Sequence, residues 1–221
     1  MIAAFFNPDI LKAAWPILLA GLGTTLALSA MVIPLGLAGG LVLGVLSTVR
    51  TPWVRYPLIA WVDFFRAFPP LVLLIFLYAG LPFAGLEMGG FGCVAVGFFL
   101  NTGAYYGEVL RAGIESVPAG QIEAARSTGL SRWQTLRHIV LPQAIRNVAP
   151  DLLSNTLEVV KLTSLASVVA LPELLFQARQ AQSLTYNATP IVVAAVLYFL
   201  VLWPVVRLLS RLENRSAAGS S

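Results

Sequence analysis

The sequence predicts an all-α polytopic membrane protein with about five transmembrane helices. Of its 221 residues, 58% are hydrophobic and only 11% charged, against about 25% charged in a soluble domain. Mean hydropathy is +0.83. Apolar runs near or above the ~20 residues needed to cross a bilayer recur along the chain. They are punctuated by short segments rich in Arg, Gly and Pro. One transmembrane domain, residues 1–221, is expected, because the spans must pack on one another.

The net charge of +4 and pI of about 9.6 would raise nucleic acid as a partner in a soluble chain. Here the excess is Arg in connecting segments, as the positive-inside rule requires, so no nucleic-acid partner is expected. The single Cys93 excludes an intrachain disulfide and a Cys-rich metal site, and it reads as a small packing residue in an apolar, Gly-rich run. No basic n-region marks a cleavable signal peptide.

Residues through Asp9 and Lys12 read as interfacial, with Trp15 as an anchor. The first span, about 17–46, carries Gly21, Gly23, Gly36, Gly39, Gly40 and Gly44 for close helix packing, and Pro34, which predicts a kink. The second, about 57–78, holds Asp63 and Arg66 at i, i+3, then Pro69-Pro70, which interrupts the helix. Two readings stand: a border Asp with a snorkelling Arg, or a broken helix lining a substrate path. The third, about 89–110, ends near Glu108 and Arg111, again i, i+3: a local ion pair or a substrate contact.

Residues 117–143 form the one polar, helix-forming segment. Pro118 suits a first helical turn, Gly129 a helix stop, and Ser131 to Gln134 a capping box that restarts the chain as helix. Trp133, Leu136, Ile139 and Val140 predict an apolar stripe, and Pro142 the end of that helix. Such a segment is a docking knob or an ordinary cytosolic loop.

The fourth span, about 148–171, contains Asp151, Asn155, Glu158 and Lys161. The first three share a face. Polar groups inside a span must face each other or a cavity, so they form either an internal ion pair with a helix-entry acid or a translocation path. Residues 171–190 read as a loop with a short helix at 173–182. The fifth span is about 191–209, with Arg207, Arg211 and Arg215 before a small polar tail expected to be disordered. With five spans and a cytosolic C-terminus, the N-terminus is outside. Arg50, Arg55, Arg126, Arg132, Arg137, Arg146, Arg207, Arg211 and Arg215 then lie inside, and only Lys12 and Arg179 outside.

Glu123-Ala124-Ala125, Gly129, Ile139 and Leu141-Pro142 stand at the spacing of the EAA loop, and the chain resembles the permease subunits of binding-protein-dependent ABC importers. Three further blocks resemble the polar amino-acid type that includes histidine, glutamine and glutamate permeases. They are Phe65-Arg66-Ala67-Phe68-Pro69-Pro70-Leu71-Val72, Ala104 to Ile114, and Lys161-Leu162-Thr163-Ser164-Leu165. Ala67 and Phe68 depart from a Gly-Thr pair, and Leu162 replaces an acid or amide.

The resemblance implies a type I ABC importer-like fold in a bacterial inner membrane. It implies a cytosolic ABC ATPase, a second permease subunit, a periplasmic or extracellular solute-binding protein, surrounding lipid and a polar amino-acid substrate. ATP and Mg would be bound by the partner ATPase. No phosphate-binding Gly loop occurs here, so no ATPase activity and no cofactor is expected in this chain. The resemblance places Glu123, Ala124, Ala125, Arg126, Gly129 and Arg132 in ATPase coupling. Arg66, Asn155, Glu158, Lys161, Thr163 and Ser164 are the candidates for the substrate path. Leu162 tilts the expected permease pair towards a heterodimer. His138, with no Cys or acidic cluster near it, reads as a surface or packing residue, and neither metal nor catalytic constellation is expected. Two rivals belong to other classes: a secondary transporter using an intramembrane carboxylate such as Glu158, or a scaffold subunit without a transport path.

Overall fold

In the computed structural model every described element is a helix, and no strand occurs among the described residues, 5–49 and 51–218 in backbone and up to 211 in side chains. Arg50, the side chain of Arg215 and the last three residues lie outside them.

The order is α1 (Pro8–Ser47), α2 (Pro52–Ala67) and α3 (Pro70–Ile75), the last continued by a π turn (Phe76–Gly80) and a 3-10 turn (Leu81–Ala84). Then come α4 (Gly90–Glu115) and α5 (Ala119–Ser127). Next are α6 (Arg132–Thr135) and α7 (Leu141–Asn147), joined by a π turn (Leu136–Val140). Last come α8 (Ala149–Leu162) with a 3-10 extension (Thr163–Val169), α9 (Leu174–Thr185) and α10 (Thr189–Ala218).

Three helices are long and apolar enough to cross a membrane: Pro8–Ser47, Ala149–Val169 and Thr189–Arg211. The pair Pro52–Ala67 and Pro70–Ala84, bent by 95°, is a broken span or a re-entrant loop, and counts as a fourth in the first case. α4, 26 residues and about 39 Å long, is long enough but not apolar enough to join them, so the helix count is roughly consistent with the expected five. Asn101, Thr102 and Tyr106 lower the apolarity of α4, and all three are buried in protein.

Boundaries differ in instructive ways. The first helix begins at Pro8 rather than about residue 17, because Asn7 caps it: its side-chain oxygen accepts from the Asp9 N–H at 2.9 Å. It continues through Pro16 and Pro34 as one helix of 40 residues. Pro118 is the N-cap of α5, one position ahead of the helix. Pro142 does not end its helix, which runs on to Asn147. The π turn before it re-routes the backbone, with the Leu141 N–H reaching Leu136 O, so Pro142 falls in a fresh first turn where a missing N–H is harmless. The final helix extends to Ala218, into the segment expected to be a disordered tail.

The chain divides into two compact units: Met1–Ile33, Pro69–Phe98 and Thr156–Ser210 in the first, and Pro34–Phe68, Phe99–Asn155 and Arg211–Ser221 in the second. The first is built around Ala14, Leu18, Leu174, Ala178, Ala181, Val193 and Ala194. Gly21 lets α1 lie against α9: a Cβ there would stand 2.9 Å from Leu174 Cα. Gly23 faces open space instead. Glu173, fully buried, caps α9, accepting from the Leu175 and Phe176 N–H groups at 2.8 and 2.7 Å and from the Tyr198 hydroxyl at 2.8 Å.

In the second unit α1 and α4 meet along a small-residue seam. A Cβ on Gly40 would stand 2.5 Å from Tyr106 Cβ, and one on Gly44 3.0 Å from Gly107 O. Backbones this close leave room for no side chain. Ile114, Val117, Val140 and Ala144, with Val45, Leu136 and Leu141 against them, fix residues 136–144 to the C-terminal end of α4.

Candidate functional site

Helix α5 ends in a Schellman motif. The Leu130 N–H donates to Ala125 O at 3.3 Å and the Gly129 N–H to Arg126 O at 3.1 Å, with Gly129 left-handed at φ +87°. Ser131 then opens α6 through a complete capping box. Its hydroxyl accepts from the Gln134 N–H at 3.2 Å, and the Gln134 side chain accepts from the Ser131 N–H at 2.8 Å. The C-terminal end of α5 and the N-terminal end of α6 are therefore both closed by local hydrogen bonds.

The predicted coupling residues occupy this bend. Glu123 and Ala124 are exposed, and Ala125 is buried. Arg126 turns back on its own loop, its guanidinium donating to Leu130 O at 2.8 Å. Arg132 stands exposed in the first turn of α6, and Arg137 and His138 are exposed in the π turn.

Trp133 does not share a face with Val140. The π turn inserts one residue into the helical count and rotates the residues after it, so Val140 is buried while Trp133 is 63% exposed. A uniform period of 3.6 puts both on one stripe. Pro142 alone does not separate them, since Pro16 and Pro34 lie within α1 without such a turn.

On the predicted substrate path, Asp151, Asn155, Glu158 and Lys161 all lie on α8. Lys161 Nζ donates to Glu158 Oε1 at 2.6 Å, and both side chains are more than half exposed. The Asn155 amide nitrogen is buried without a partner. At Thr163 the helix tightens to 3-10, with the Thr163 hydroxyl donating to Val160 O at 2.6 Å and the Ser164 hydroxyl to Lys161 O at 2.8 Å. Thr163 is fully buried.

Arg66 belongs to a different constellation. It sits 3.6 Å from Asp63 and 3.7 Å from Glu108, over the ring of Tyr105. Glu108 in turn accepts from Arg111, so the expected local pair is present. The end of α2 is also closed from α4. Pro69 and Pro70 have no N–H, which frees the carbonyls of Phe65 and Arg66. Asn101 Nδ2 donates to Phe65 O at 3.0 Å and the Tyr105 hydroxyl to Arg66 O at 3.2 Å. The sequence does not single out Asn101 or Glu173 for these roles, since neither has a charged neighbour three or four positions away. No group of three or more metal-ligating side chains occurs among the described residues.

Comparison with known proteins places this geometry. Residues 36–217 match the family model described as binding-protein-dependent transport system inner membrane component. The probable amino-acid ABC transporter permease protein YckA of Bacillus subtilis (strain 168) is 38% identical over 174 residues, 79% of this chain and 77% of that one. The glutamine transport system permease protein GlnP of Escherichia coli (strain K12) is 34% identical over 217 residues, 95% and 97% of the two chains. Among solved structures, an amino acid ABC transporter crystallised with histidines superposes with a TM-score of 0.83 at 30% identity, covering 95% of this chain and 100% of that one. An inward-facing MetNI methionine ABC transporter gives 0.77 at 21% identity, covering 93% and 97%, a likeness of fold.

Proposed function

The chain belongs to the binding-protein-dependent transport system inner membrane component family, and on that footing we propose that it is the permease subunit of an ATP-driven importer of polar amino acids. The observation that carries this is the bend at Gly129. It is a positive helix–turn–helix, closed at both helix ends, with Trp133 exposed in the first turn of α6. An aromatic anchor amid Arg side chains is the composition of a protein-docking hot spot. A cytosolic ATPase carrying ATP and Mg is the occupant, contacting Glu123, Trp133 and Arg132. The names of the two relatives support an amino-acid substrate.

The solute path runs along the polar side of α8. Glu158 and Lys161 are more than half exposed in the isolated chain. Charged groups there cannot face lipid, so they line an aqueous cavity or meet a second permease subunit. Asn155 and Ser164 contribute polar groups beside them, and Thr163 fixes the helix where it tightens. Leu162 removes a polar contact expected in this block, which favours a heterodimeric pair. A solute-binding protein delivers the amino acid outside. The Arg distribution supports an external N-terminus and a cytosolic C-terminus. Energy enters because nucleotide binds one conformation of the assembly more tightly than the other, and the coupling loop transmits that preference.

The test is purification of the complex from its native membrane in mild detergent, with mass spectrometry of its components and amino-acid uptake after reconstitution. A P-loop ATPase and a second permease are expected, with uptake that stops without ATP. A chain that purified alone and still carried solute on an ion gradient would overturn the reading.

A further inference from the structure

Six charged residues of alternating sign run along the contact between α2 and α4: Asp63, Arg66, Glu108, Arg111, Glu115 and Arg55. Each meets the next. Asp63 and Arg66 are 3.6 Å apart, Arg66 and Glu108 3.7 Å, and Glu115 and Arg55 3.5 Å. In the middle Arg111 is shared, its Nε donating to Glu108 at 3.0 Å and its Nη1 to Glu115 at 2.8 Å. The central side chains are about three-quarters covered, Arg111 at 23% and Glu108 at 25% exposure, and exposure rises towards both ends. The series crosses between the helices twice, at Arg66–Glu108 and at Arg55–Glu115.

Two independent sets of contacts extend the same connection. Asn101 and Tyr105 hold the carbonyls of Phe65 and Arg66, which the Pro pair leaves free. At the other end, a Cβ on Gly113 of α4 would stand 2.9 Å from Ala144 O in α7, and Asn147 Nδ2 donates to the Ser116 hydroxyl at 2.9 Å. The α7 end of the loop is thus fixed to α4, and α4 meets α2 both at its first turn and at its broken end.

We propose that Glu108 and Arg111 are positioning residues of the transport step: the ion series makes α2 follow α4, so that displacement of the coupling loop reaches the break at Phe68. This rests on the reading of the chain as an ATP-driven permease. Low-dielectric, half-buried charges of alternating sign suit such a task, since the contact resists sliding by one turn in either direction: a slip sets like charges opposite one another.

The experiment reconstitutes the complete importer in liposomes with L-glutamine as solute and measures glutamine transported per ATP hydrolysed, together with the amount of bound ATPase. Glu108→Gln is expected to lower that ratio about tenfold while ATPase binding persists. The double exchange Glu108→Arg with Arg111→Glu restores the pair within α4 but opposes Arg66 and Glu115 with like charges, and it is expected not to recover. Arg55→Gln, at the exposed end, is expected to lower the ratio about threefold, with Arg55→Lys near the wild-type value. Recovery in the double exchange, or an unchanged ratio in Glu108→Gln, would overturn the proposal. If Glu108 variants do not assemble, Arg55→Gln decides it: an unchanged ratio there refutes the link. Loss of both partners and of ATP dependence in the unaltered chain would instead refute the permease reading itself.

Discussion

At Gly129 the backbone is left-handed, φ +87°, and nothing lies within 4 Å of the place a Cβ would occupy. Substitution there is strained by conformation and not by crowding. Gly129→Val is expected to cost about 1–2 kcal/mol of loop order, and Gly129→Asn less, because Asn tolerates this region. The ratio of ATPase to permease recovered from membranes should fall in that order, Gly, Asn, Val. Trp133, exposed and unsupported by its own chain, is expected to behave as an anchor: Trp133→Ala should weaken ATPase binding by roughly 2 kcal/mol or more, about thirtyfold. Arg126 is a lesser case, since its guanidinium closes the bend on Leu130 O. Glu173 has a distinct signature. Burial pushes its carboxyl above the usual carboxylate range, against the Leu175 and Phe176 N–H groups, Tyr198 and Arg179. A raised native pKa means the folded chain holds its proton to higher pH than the unfolded chain. That stabilisation is complete below the ordinary carboxylate pKa and is lost as pH rises through the native value. Thermal stability in detergent should therefore decline from about pH 4.5 upwards, and Glu173→Gln should flatten the decline.

Among the elements, the break between α2 and α3 is the most informative. Asn101 and Tyr105 satisfy two carbonyls orphaned by Pro69 and Pro70. Asn101→Leu is expected to destabilise the complex by about 1–3 kcal/mol. Pro69→Ala in that background should return part of it, by giving Phe65 O a backbone donor. Thermal unfolding of the four members of this cycle measures the coupling, and strictly additive effects would contradict the assignment. The same elements show what a sequence displays. The Schellman stop, the capping box and the Pro-Pro break depend on residues within six positions of one another, and each is legible from its own local pattern. Pro142 is not, because a π turn changes the helical count just before it. The α2–α4 contacts are invisible in sequence because Arg55 and Glu115 lie sixty positions apart and meet only once two helices pack. The candidate path is legible as residues on α8, where Glu158 and Lys161 pair at i, i+3, whereas Arg66 is held by Asp63 and Glu108.

For the whole molecule, composition and Arg placement are sufficient for the class. A chain with 11% charged residues and apolar runs of about 20 residues crosses a bilayer as helices, which satisfy their own backbone there. Residues 117–143 are proposed as the segment where a cytosolic ATPase engages this permease. Cys93 is fully buried, so replacing it with Ser and placing one cysteine at position 133 gives a single accessible thiol. Cross-linking from that thiol in native membranes, with the product identified by mass spectrometry, tests the claim most directly. A P-loop ATPase joined to position 133, with a yield that changes when ATP is added, is the predicted result. Labelling of position 133 by an impermeant reagent from the outer face, with no ATPase joined to it, would contradict it.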